Sequence, residues 1–157
     1  MFQRATTVGS GDGYVIATWD RVLIEGFTGS VSHDSLRDRQ RAHAALRTRY
    51  AEDVLSLTVV RDGIILPEAG VREAAAKLMN ELAPKTAHLV VAIEGSGFWV
   101  SAVRGALTGI QLLAPKARRL EVVDSLDDAV SSLAVHARKD KAWAGQLKGA
   151  VEQVIAR

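Results

Sequence analysis

The chain has 157 residues, of which 48% are hydrophobic and 24% charged, with 20 Lys and Arg against 18 Asp and Glu for a net charge of +2. This is the composition of one globular domain, and it excludes a disordered, collagenous or low-complexity chain. With no cysteine, disulfides and thiolate metal sites are excluded as well.

Residues 1–13, MFQRATTVGSGDG, are polar and hold three glycines, which predicts a flexible N-terminal arm ahead of a single domain over 14–157. They lack the apolar core of a secretory signal, and no apolar run approaches the ~20 residues of a membrane span. A cytoplasmic protein without membrane contact is expected. Two β-branched and aromatic runs follow, Tyr14–Thr18 and Arg21–Phe27, with Asp20 between them as a turn former, which predicts a hairpin. Ser32 or Asp34 then caps a helix to about Tyr50, with Leu36, His43, Leu46 and Tyr50 on one face. Its five arginines, Arg37, Arg39, Arg41, Arg47 and Arg49, read as a solvated face. The run has no interleaved aromatics for base stacking, so nucleic acid is not the expected partner.

Val54–Val60 predicts a strand, and Pro67 opens a helix that carries Val71, Ala75, Leu78, Met79 and Leu82 and stops at Pro84. His88–Ile93 is a near-continuous apolar run, as in a buried parallel strand. The turn Glu94-Gly95-Ser96-Gly97 leads to a helix over Phe98–Leu113, in which Ala102, Ala106 and Gly109 suggest close packing on a sheet. A strand over Arg119–Val123 and a helix from Ser125 to about His136 follow. The last helix, Asp140–Ala156, carries Trp143, Leu147, Val151 and Val154 on one stripe, which predicts packing on the chain's own sheet, with a homodimer contact as the alternative. The order is β-β-α-β-α-β-α-β-α-α: an α/β fold with one mixed sheet of about five strands and an extra C-terminal helix.

Several stretches resemble STAS-type (SpoIIAA-like) domains, the fold of anti-sigma-factor antagonists, and more closely the short bacterial STAS-like proteins of unassigned role. They are Glu25-Gly26-Phe27-Thr28-Gly29, Leu66-Pro67 with Arg72, Val91 to Phe98, Arg104 with Leu107-Thr108-Gly109-Ile110, and Val123 to Ala129. The resemblance covers roughly Tyr14 to Val135. It implies a non-enzymatic regulatory module that binds a protein partner, and in such domains a Ser or Thr at the start of the second crossover helix is phosphorylated. That place corresponds here to Gly63–Val71, and no Ser or Thr occurs from Val59 through Lys85. The expectation is a module without the usual phospho-switch.

The residues singled out for ligand or partner binding are Arg72, Gly95, Ser96, Gly97, Phe98 and Arg104. Gly95-Ser96-Gly97 lies at a strand's carboxyl end and a helix N-terminus, where anions bind in open α/β sheets. Val100 stands where a G-x-G-x-x-G pattern needs glycine, so a tight strand-to-helix turn is the favoured reading. Arg72 and Arg104 could form an anion pocket on one rim, against the ordinary alternative of salt bridges to Glu68, Glu73 or Glu94. The alternative function is thus a binder of a small anionic or lipid-like ligand near Gly95–Phe98, walled by Ile64-Ile65-Leu66 and Phe98-Trp99. Ser32, His33 and Asp34 are adjacent and diverge, so they make no triad. No His pair has the i, i+4 spacing of a metal site, and neither catalysis nor a cofactor or metal is expected.

Overall fold

The computed structural model describes residues 3–117 and 120–156. Six strands form one mixed sheet: β1 (Thr6–Gly11), β2 (Tyr14–Trp19), β3 (Val22–Phe27), β4 (Val54–Val60), β5 (Thr86–Ile93) and β6 (Leu120–Val123), in the order β1-β2-β3-β4-β5-β6. β1, β2 and β3 pair antiparallel, whereas β3 through β6 pair parallel. The five helices are α1 (His33–Arg49), α2 (Ala69–Leu82), α3 (Phe98–Leu112), α4 (Leu126–Ala137) and α5 (Lys141–Ile155), and a short 3-10 turn over Ala83–Lys85 carries Pro84.

The expectations of five strands and of a flexible arm over 1–13 are both corrected by β1. TTVGSG shows no apolar alternation and most of it is exposed, so hydrophobic patterning cannot reveal it. Backbone pairing with β2 holds it instead, with a register shift between Thr7 and Gly9. Side chains reinforce this edge: Trp19 Nε1 donates to Gln3 O at 2.8 Å and Tyr14 Oη to Asp38 Oδ2 at 2.6 Å, which ties the hairpin to α1. That bond holds the Tyr14 proton and pushes its pKa up to about 12.

Parallel neighbours joined in sequence by right-handed crossovers place every crossover helix on the same side of the sheet. α1, α2 and α3 accordingly share one face. There Ile16, Leu23 and Val54 pack with Ala42 and Leu46 of α1, and Leu89 packs with Ala76 and Met79 of α2 and Ile110 of α3. Ala17, Ile24, Leu57 and Val90 point to the other face, where α4 and α5 cover them through Leu133, Leu147, Val151 and Val154. Self-packing of the last helix is therefore what the fold does with its apolar stripe. Gly26 makes room for it, since a Cβ there would lie 2.9 Å from Ile155 Cγ1. Trp143 completes the seat: its ring lies 5.4 Å from that of Trp19, and its Nε1 donates to Asp20 Oδ2 at 3.0 Å, at the turn between β2 and β3.

The local signals act where capping chemistry puts them. Ser32 accepts from Ser35 N and Ser35 answers at Ser32 N, a reciprocal capping box. Ser125 and Asp140 accept from Asp128 N and Trp143 N to start α4 and α5. One packing expectation fails: Gly109 is exposed, with nothing near the position its Cβ would take. No helix among the described residues is long and apolar enough to cross a membrane.

Candidate functional site

Two features stand out, a rim at the carboxyl ends of β4 and β5 and a chamber beneath α1–α3. The rim consists of the loop after β4, residues 61–68, and the turn after β5, residues 94–97. Gly97 caps α3 at φ 74° and ψ −148°, a conformation essentially confined to glycine. Gly95 also has positive φ, and the Trp99 ring folds over it, so a Cβ at Gly95 would meet Trp99 Cζ3 at 2.8 Å. From there Trp99 Nε1 donates to Ile64 O at 3.3 Å, joining the two loops. Large apolar side chains at this rim face solvent: Phe98, the first residue of α3, is 89% exposed, Ile65 67% and Leu66 44%.

The other residues singled out from the sequence are not gathered into a pocket with Phe98. Gly95, Ser96 and Gly97 are exposed at the turn. Arg104 Nη2 bonds Asp124 Oδ1 at 2.8 Å, an acidic partner outside the Glu68, Glu73 and Glu94 expected, because the residue after β6 lies beside α3. Arg72 is exposed and no ion pair joins it to another described residue. An anion pocket between Arg72 and Arg104 is thus unsupported by any contact.

Beneath the crossover helices lies a chamber of about 100 Å³. Its sheet side includes Phe27, Val60 and Val91, its helical side Val103, Leu107 and Ile110, and Ile64, Leu66 and Pro67 line it from the loop after β4. Three polar residues interrupt this apolar lining. Glu25, only 2% exposed, accepts from Thr58 Oγ1 at 3.1 Å and pairs with Arg39 Nη1 at 3.1 Å. Arg39 also lines a second hollow of about 300 Å³, with Asp53 and Thr86. Its Nε and Ser56 Oγ are buried and have no hydrogen-bond partner among the described residues.

Arg39 corrects the reading of all five α1 arginines as a solvated face. Ser35, Ala42 and Leu46 are buried on α1, and Arg39 falls on that stripe at helical spacing. The other four are taken up locally: Arg37 with Asp34, Arg41 with Asp38, Arg47 with Asp53, and Arg49 over the Tyr50 ring. The signals available in the sequence were a carboxylate inside the apolar run VLIEGF and an arginine on the inner stripe of the next helix.

A second polar cluster, also missed from the sequence, ties α4 to the sheet. Glu121 Oε1 accepts from Ser132 Oγ and from His88 Nε2, the latter at 3.1 Å, and the His136 ring stacks on His88 with centroids 3.6 Å apart. The Ser132 hydroxyl, first, and then His88 stabilise the Glu121 carboxylate and pull its pKa down. Serine and histidine share one carboxylate oxygen, and Ser132 Oγ lies 3.4 Å from the same His88 Nε2 that faces Glu121, whereas a nucleophile relay sets serine and carboxylate on opposite nitrogens of the imidazole. The arrangement is an anchor rather than a relay. No group of three or more potential ligands is placed to hold a metal ion among the described residues. No family model, curated protein or solved structure matches the chain.

Proposed function

We propose that the protein is a non-enzymatic, STAS-like interaction module that docks a protein partner through the rim formed by Ile65, Leu66 and Phe98. The observation that carries this reading is the projection of three large apolar side chains into solvent, two from the loop after β4 and one from the start of α3, which the Trp99–Ile64 hydrogen bond joins. Exposed apolar side chains grouped in this way mark surfaces that bind other proteins. The β3-α1-β4-α2-β5-α3-β6 order after an antiparallel hairpin supports the STAS-like part of the reading, and ligands and partners gather at the carboxyl ends of parallel strands. The start of α2, Pro67-Glu68-Ala69-Gly70, has no hydroxyl to phosphorylate, so control at this surface comes from abundance or from a ligand.

The test replaces Ile65 and Phe98 together by serine. Both are exposed, so the melting temperature is expected to stay within about two degrees of wild type, as for surface changes of ±0.5 kcal/mol. A partner that co-purifies in fixed stoichiometry from the source cells is expected to be lost from the variant. Undiminished co-purification would overturn docking at the rim, and a wild-type dimer that the variant abolishes would make a second copy of the chain the occupant.

A further inference from the structure

We propose that the chamber beneath α1–α3 is a binding site for a small uncharged amphiphile, an apolar body of about five carbons bearing one oxygen that accepts a hydrogen bond from Arg39. The size follows from the volume. A cavity of about 150 Å³ lined by aliphatic and aromatic side chains holds benzene, so about 100 Å³ takes a slightly smaller molecule.

The polarity follows from what the lining has left unmet. Glu25 and Arg39 neutralise each other inside the fold, so an ionic ligand would add a buried charge with nothing to balance it. Glu25 occupies Arg39 through Nη1, and the buried Nε–H lacks an acceptor among the described residues. A guanidinium offers its donors along more than one edge, so a second acceptor can join the first without displacing it. Ser56 Oγ is likewise buried and unpartnered, two residues before Thr58 in β4 and therefore on the same face of the sheet. Glu25 and Thr58 line the chamber, and Ser56 continues the polar strip on the same sheet face beyond its lining. A ketone, ester or ether oxygen matches the Arg39 donor, while Val91, Val103, Leu107 and Ile110 meet the hydrocarbon. Leu66 lines the chamber while 44% exposed, which leaves the site one side chain from solvent. Leu66 belongs to both, whereas Ile65 and Phe98 do not line the chamber, so the site adjoins the docking rim and opens beneath it.

The experiment is an amide NMR titration of the full chain with cyclopentanone, cyclopentane and cyclobutanecarboxylate. Cyclopentanone is expected to give saturable shifts at Thr58, Val103 and Leu107. Its affinity is expected to exceed that of cyclopentane by about ten- to hundredfold, the worth of a hydrogen bond to a charged donor. The carboxylate is expected to bind at least about tenfold more weakly than the ketone. Ala106→Leu and, separately, Ala75→Leu fill the chamber from α3 and α2 without touching Arg39 or Glu25, and each is expected to abolish the ketone shifts. No saturable binding of cyclopentanone, equal binding of cyclopentane, tighter binding of the carboxylate, or binding unchanged in a folded filling variant would each overturn the proposal.

Discussion

A carboxylate buried as deeply as Glu25 loses several kcal/mol of hydration, and here Arg39 and Thr58 offset that loss. The balance is asymmetric. Arg39→Met strands the carboxylate and is expected to cost ~3–5 kcal/mol, read from urea unfolding. The double change Glu25→Leu with Arg39→Met removes both charges and is expected to recover most of that loss; equal damage in single and double variants would show that the pair is not coupled. His43 makes a different prediction. Burial, then Arg39 and Arg47 on its own helix, holds its pKa down at about 4, against 6.5 for a free imidazole, and Thr86 Oγ1 lies 3.1 Å from its Nε2. The unfolded chain therefore takes up a proton that the folded chain refuses. Stability is full above about pH 6.5 and declines as the pH falls toward 4, by up to ~1.4 kcal/mol per unit. Glu121, whose pKa is lowered, adds its own loss only below the ordinary carboxylate value. His43→Gln is expected to flatten the profile between pH 4 and 6.5, and an unchanged slope there would remove His43 as its source.

At the scale of elements, α5 shows how a stripe becomes a seat. Leu147 is fully buried against the sheet beside Val151 and Val154. Leu147→Ala is expected to cost ~2–5 kcal/mol in thermal or urea unfolding without changing the oligomeric state. A variant of unchanged stability but altered mass by light scattering would contradict the self-packed helix. Most elements were legible from the sequence because their signals are local. VLSLTVV is a short β-branched run and HLVVAI a near-continuous apolar one, Ser32, Ser125 and Asp140 are caps, and Pro67 and Pro84 bracket α2. β1 was not legible, since a Gly-rich edge strand owes its place to backbone pairing rather than to burial. Arg39 was hidden for a related reason. An arginine stem packs like an aliphatic side chain, so only its register with Ser35, Ala42 and Leu46 separates it from its solvated neighbours. The His88–Glu121–Ser132–His136 cluster joins β5, β6 and α4, and no spacing in one segment announces it.

At the scale of the whole molecule, one topological fact organises the rest. Three successive crossovers whose helices share one face leave the other sheet face bare, and α4 and α5 return to cover it, so the apolar surface of the sheet is consumed internally. The projecting apolar side chains at the carboxyl ends of β4 and β5 are left over from that packing, whereas the chamber lies within it. The alternative of an anion site at Gly95–Phe98 gains no support from Arg72 or Arg104, and the guanidinium that reaches the turn, Arg61, is paired with Glu94 at 3.7 Å. The most direct measurement of the docking claim is site-specific photo-crosslinking in the source cells. A photoreactive phenylalanine analogue is placed at Phe98 and, in separate strains, at Leu112 and Val135, which are also exposed but lie elsewhere on the surface. Docking at the rim requires one discrete adduct from position 98 and none of that mass from positions 112 or 135. Identical adduct patterns at all three positions, or no adduct at 98, would contradict it.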